Sequence, residues 1–199
     1  MNKNINITEE KKSLRAAMRA KRNSLSQRER EILSGKITAN LSREPFFQTK
    51  ETTLLYASTQ EEVQLYDLMK FMLSMGRKIA IPFIPERGKM LAVELLSVAD
   101  LTEDKFGILT VREDKRKIVA PENLGLLIVP GVAFAKDGRR LGMGGGYYDR
   151  FLSENRPPAP RAALAFDFQI TDDIPTEDND EKVDYIITES RSISATERS

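Results

Sequence analysis

The 199-residue sequence contains no cysteine, no histidine and no tryptophan. Without cysteine there are no disulfides, no thiolate nucleophile and no sulfur-ligated metal site. Without histidine, Ser-His-Asp and Cys-His catalysis and histidine-ligated zinc are excluded. The remaining chemistry belongs to carboxylates, lysine, arginine, tyrosine and backbone amides.

An excess of one charge is missing too. Thirty-one Lys and Arg stand against 30 Asp and Glu, a formal charge of +1. No global field draws the chain to nucleic acid or an acidic membrane, so any basic site is local. Nothing approaches a membrane span, and residues Met1 to Thr8 lack the apolar core of a signal peptide. The expectation is a cytoplasmic monomer with neither nucleic-acid nor membrane partner. Length and a 40% hydrophobic content suit one domain over 1–199.

What is present reads as an α/β pattern. Thr8 before Glu9 and Glu10 marks the start of a basic helix over 8–23, and Ser26 with Glu29 forms a capping box for a second helix that Pro45 stops. A strand over 52–57, a helix over 65–73 ending at Gly76 and a strand over 78–82 make a βαβ unit, hence a parallel pairing. A further strand is expected over 91–96. The charged stretch 100–117 carries no clear period. Leu126 to Gly131 reads as a central strand buried on both faces, leading directly into a glycine-rich loop over 138–149. A helix over 147–155 and strands over 161–166 and 183–188 follow, with a frayed tail after 189.

The loop places Gly142, Gly144, Gly145 and Gly146 within five positions, between a buried strand and a helix start. Glycine amides and a helix amino end can surround phosphate oxygens, and Arg139 or Arg140 adds charge. The loop lacks Gly-Lys-Ser/Thr, and Tyr147 stands where a dinucleotide fingerprint needs its third glycine, so neither common nucleotide motif applies. Lys11, Arg15 and Arg22 fall in a narrow helical sector that either faces a polyphosphate or is solvated. Asp149, and Asp180 with Asp184, supply the one or two carboxylates that magnesium on a nucleotide requires, or form an acidic surface turn. Glu62, after the first strand, either opens onto the same sheet edge, where it can accept paired hydrogen bonds from an aminopyrimidine, or begins the next helix.

Taken in order, these segments resemble the 5-formyltetrahydrofolate cyclo-ligase family over nearly the whole chain. The resemblance is carried by Lys11-Lys-Ser-Leu-Arg15, Glu62-Val63, Pro130-Gly-Val-Ala-Phe134, Gly138 to Arg150, Ala165 to Gln169 and Asp180 to Asp184. It implies a three-layer α/β/α sandwich with a mostly parallel central sheet. It also implies ATP-dependent closure of 5-formyltetrahydrofolate to the 5,10-methenyl form, through a phosphorylated formyl oxygen. By the same resemblance ATP meets Lys11, Lys12, Ser13, Leu14, Arg15, Arg140, Leu141, Gly142, Met143, Gly144, Gly145, Gly146, Tyr147 and Tyr148. Folate meets Ala57, Glu62, Phe106 and the segment Met143 to Tyr147. Magnesium falls to Asp149 and Asp180, and catalysis to Arg140, Tyr147 and Asp149. Ala135 departs from the family's Phe-Asp-x-x-Gly, with Asp137 close enough in sequence to compensate. Another ATP-dependent kinase or ligase, and a nucleic-acid module built on the basic helix, are the rival readings.

Overall fold

The computed structural model describes residues 2–105 and 107–195, with side chains from residue 6 onward. Helix α1 (Asn2–Ser24) begins well before Thr8. No proline or glycine lies between Asn2 and Ser24, so nothing halts propagation of the helix toward the amino end. Helix α2 (Gln27–Leu41) carries the expected capping box: Ser26 Oγ accepts from Glu29 N, and the Glu29 carboxylate accepts from Ser26 N. A 3-10 turn at Pro45–Gln48 then leads into β1 (Thr52–Leu54).

Helix α3 (Tyr66–Ser74) stops at Gly76, whose φ of 69° ends the helix in the left-handed region. Strands β2 (Ile79–Phe83) and β3 (Leu91–Leu95) follow. The charged stretch without a period holds β4 (Leu101–Glu103) and β5 (Leu109–Val111), an antiparallel pair, then the two-residue β6 (Ile118–Val119). After β7 (Leu124–Ile128) comes a hairpin of β8 (Ala133–Ala135) and β9 (Arg140–Leu141). The central strand therefore does not lead directly into the glycine loop, as expected, because this hairpin intervenes. Helix α4 (Tyr147–Asn155), β10 (Arg161–Leu164), β11 (Ile170–Thr171), β12 (Tyr185–Ile187) and β13 (Ser192–Ser194) complete the chain. The segment expected to fray after Glu189 instead supplies the edge strand β13, paired antiparallel to β12.

The main sheet has the order β13-β12-β10-β7-β1-β2-β3-β6. Its inner pairs β12/β10, β10/β7, β7/β1 and β1/β2 are parallel, and its outer pairs are antiparallel. Alternation along the strands sorts side chains to two faces. Leu55, Ile79, Ile81, Leu126, Ile128 and Leu164 pack with Ile37 and Leu41 of α2 and Met69 and Met72 of α3. Leu54, Ala80, Leu127, Val129 and Ala163 pack with Phe151 and Leu152 of α4 on the other face. The result is the expected mostly parallel α/β/α arrangement. Helix α1 lies apart from both, with Leu14 and Met18 against Val132, Ala133, Ala135 and Leu141.

Chain connections reverse between β1 and β7. From β1 the chain crosses over α3 to β2 on one side, and from β7 it crosses over α4 to β10 on the other. Adjacent parallel strands whose connections diverge leave a crevice at their carboxyl ends, where open α/β sheets bind ligands.

Candidate active site at the carboxyl edge of the sheet

A cavity of about 300 Å³ occupies that crevice. Its floor comes from residues just past the strand ends: Tyr56 and Ala57 after β1, Pro82 and Ile84 at the end of β2, and Pro130 after β7. Met90, Ile108 and Leu109 add an apolar side, the latter two from the β4/β5 hairpin region. The glycine loop and the first turn of α4 close the remaining side through Gly142, Met143, Gly145, Gly146, Tyr147, Tyr148 and Asp149.

Glu62 stands on the wall that follows β1. The segment is fixed locally: Ser58 Oγ donates to Val63 O (2.8 Å) and accepts from Leu65 N (3.1 Å). Ser34 Oγ of α2 accepts from Gln64 N (2.9 Å). Glu62 Oε2 accepts from Thr59 N (2.9 Å) and Thr59 Oγ1 (3.1 Å). The carboxylate is buried, and burial pushes its pKa up despite those bonds and the nearby Arg22. It lines the cavity with acceptor capacity to spare.

The opposite wall is cationic. Arg140 is 4% exposed; its Nη1 donates to Pro130 O (3.1 Å) and its Nη2 pairs with Asp149 Oδ1 (2.5 Å). The same Asp149 oxygen accepts from Glu181 N (3.1 Å), which joins the first turn of α4 to the acidic turn near 177–181. Of the two arginines that could have added charge to the loop, Arg139 points away, paired with Asp137 and Asp173. Asp137 also accepts from Arg139 N and thereby shapes the β8/β9 turn, while Ala135 is buried against α1 and Ile174.

Two glycines need their conformation. Gly144 has φ of 107° and Gly146, the N-cap of α4, has φ of 64°. A Cβ at Gly146 would come within 2.8 Å of Arg150 Nη1, and one at Gly144 would face Arg15. Among the described residues no side chain caps α4, which leaves its first amides without a side-chain acceptor.

The basic stripe of α1 is not a solvated face. Lys11, 5% exposed, pairs with Glu177 (2.7 Å) and Asp180 (2.6 Å). Burial pulls its pKa down, but the two carboxylates outweigh burial and leave it raised. Arg15 Nε donates to Gly142 O (2.8 Å), and the buried Arg22 reaches Glu61 (3.4 Å) and the Met143 sulfur (3.9 Å). Helix α1 thus ties together the glycine loop, the acidic turn and the Glu61-Glu62 segment.

Within Lys11 to Arg15, Lys11 contacts the acidic turn and Arg15 the glycine loop. Lys12 and Ser13 are exposed, and Leu14 packs into the small core under β8 and β9. Leu141 is buried in that same core. Phe106 lies outside the described residues. Tyr56, Ile84, Met90, Ile108 and Leu109 line the cavity without having been singled out from sequence; they lie near strand ends and in a loop, and carry no motif. The buried Gln169 holds the entry to the hairpin, donating to Gly131 O (3.2 Å) and Val132 O (2.9 Å). Asp184 accepts from Arg161 N (2.7 Å) and so orients β10 and β12, whereas Asp180 faces Lys11.

Among the described residues no cluster of three or more carboxylates is arranged to hold a metal. A hard divalent ion carried on a nucleotide asks for less, one or two carboxylates besides its phosphate ligands. Asp149 and Asp180 are the candidates for that role, the first accepting from Arg140 and Glu181 N and the second from Lys11 and Glu177 N. Both now neutralise cations that could instead serve phosphates.

Fold and site together define an open-sheet α/β protein with a glycine loop that borders a ring-sized cavity at the carboxyl edge of the sheet. The chain belongs to the 5-formyltetrahydrofolate cyclo-ligase family, whose model matches residues 7–189. It is 30% identical to the mouse (Mus musculus) 5-formyltetrahydrofolate cyclo-ligase over 198 residues, covering 93% of this chain and 96% of that one. Among solved structures it resembles the Aquifex aeolicus 5,10-methenyltetrahydrofolate synthetase, with 34% identity, a TM-score of 0.82 and 95% of each chain covered. The Mycoplasma pneumoniae 5,10-methenyltetrahydrofolate synthetase shares the fold, with 24% identity, a TM-score of 0.73, and 90% of this chain and 98% of that one covered.

Proposed function

We propose that the chain closes 5-formyltetrahydrofolate to 5,10-methenyltetrahydrofolate at the expense of ATP, with ADP and phosphate released. One observation carries this reading beyond family membership: a single cavity joins the desolvated Glu62 carboxylate to the glycine loop and the Arg140-Asp149 pair. The pterin ring enters against Glu62, which accepts hydrogen bonds from the amino group and the adjacent ring N–H. Ala57, Met143, Gly144, Gly145, Gly146 and Tyr147 border the folate, and the family resemblance assigns Phe106 to the same substrate.

The triphosphate lies along the glycine loop and the amino end of α4, against Lys11, Arg15 and Arg140. Asp149 and Asp180 would hold magnesium, which when bound neutralises charge on the phosphoryl oxygens. The formyl oxygen attacks the γ-phosphorus and ADP leaves. The second folate nitrogen then attacks the activated carbon, its proton passes to solvent, and phosphate departs as the ring closes. Phosphoryl transfer of this kind depends on positioning and charge neutralisation rather than on a protein nucleophile, which suits a chain without histidine or cysteine. Among the described residues no helix is long and apolar enough to cross a membrane.

The test mixes purified protein with 5-formyltetrahydrofolate and Mg-ATP and follows the near-ultraviolet band of the methenyl product. Growth of that band only when ATP is present is the expected result. ADP release with some other acceptor and none with folate would keep the nucleotide site and discard the folate reading.

A further inference from the structure

Tyr148 belongs to the segment that the family resemblance assigns to ATP, yet its ring lines the cavity that holds Glu62. Its hydroxyl is buried and, among the described residues, has no hydrogen-bond partner. Tyr56, another tyrosine of the cavity, donates to Val63 O at 3.4 Å. The neighbouring Tyr147 ring instead sits under the Arg150 guanidinium, 5.3 Å from its centroid. A buried hydroxyl left unpaired is destabilising in the free protein, and its persistence in a cavity marks a place where a ligand group completes the bond.

The ligand group follows from the neighbours. Burial, and then the adjacent Glu62 charge, push the Tyr148 phenol up, so the hydroxyl stays protonated and can donate. Glu62 is an acceptor and takes N–H groups. The 2-amino-4-oxopyrimidine edge of a reduced folate presents two N–H donors beside one carbonyl oxygen. A carboxylate satisfies the donors, and the carbonyl still needs a donor beside it. We propose that the Tyr148 hydroxyl is a substrate-binding group that donates to the ring carbonyl next to the N–H groups paired with Glu62. The assignment rests on the placement of the pterin against Glu62.

Tyr148→Phe and Glu62→Gln, each compared with the wild type, test it. Tyr148→Phe is expected to raise the folate KM about fivefold, the factor conferred by one neutral hydrogen bond, and to leave the ATP KM unchanged. The ligand-free Tm stays level or rises, because the lost hydroxyl had no partner; a merely structural hydroxyl would lower it. A reduced folate analogue without the 4-oxygen should lose the same factor with the wild type and none with Tyr148→Phe. Unchanged folate KM in Tyr148→Phe, with a loss in Glu62→Gln, overturns the Tyr148 assignment alone. An effect confined to ATP returns the residue to the nucleotide. Unchanged folate KM in both variants removes the pterin placement itself, and this inference with it.

Discussion

Arg140 on one wall of the cavity, and Lys11 of α1 outside its lining, already hold carboxylate partners, while Glu62 on the other wall is buried with hydrogen bonds from Thr59. The first wall is a set of matched charges, and under the proposed function an incoming polyanion would exchange with them, its phosphate oxygens replacing Asp and Glu as partners of the cations. The carboxylates so released would then be available to a divalent ion. The second wall has little to exchange. Its carboxylate is held in a desolvated state and gains most when a ligand brings N–H donors to it. The difference implies a division of labour, in which variants of one wall act on turnover and nucleotide affinity, and variants of the other on folate affinity.

The largest expected effect comes from the exchange wall. Removing one preorganised stabilising group typically costs about a hundredfold in rate, so Arg140→Ala and Asp149→Ala should each lower kcat by that order. Wild-type turnover in either would break the assignment. Glu62→Gln should raise the folate KM by roughly tenfold or more, since hydrogen bonds to a charged group are the stronger kind, and leave the ATP KM in place.

The same wall predicts a pH effect. Burial holds Glu62 above the ordinary value of 4.5. In the proposed placement the ionised form accepts from the pterin, so folate affinity should be full above that raised pKa and fall as pH drops through it. Glu62→Gln should abolish this acid limb, which folate KM values measured across pH would reveal. Arg15→Ala should weaken ATP binding by about tenfold, the worth of one charge-assisted contact, and leave folate binding unaffected. Smallest of all, Ser26→Ala removes the α2 capping box far from either wall. It should lower stability by about 1 kcal/mol in denaturant titration and change neither KM.

Much of this was legible in the residues. The Ser26-Glu29 box, the Leu126-to-Val129 run and the helix at Tyr147 announce themselves because each is a local signal. The β4/β5 hairpin was not legible, since three-residue strands in a charged stretch have no period to detect. The tail beyond Glu189 gave no local sign that β12 would pair with it. In the site, the glycine loop and Glu62 stood out by motif. The Lys11-Asp180 pair spans 169 positions, and no spacing rule reaches that far. From sequence alone the stripe of Lys11, Arg15 and Arg22 could equally have faced water; the fold turned it inward by seating Leu14 and Met18 beneath β8 and β9.

The division between the walls is most directly tested by measuring folate and ATP KM values side by side for Glu62→Gln and Arg15→Ala. The account predicts a crossed pattern, with folate KM raised only in the first variant and ATP KM raised only in the second. Both constants rising together in either variant would contradict it, and would mean that the two walls act as one.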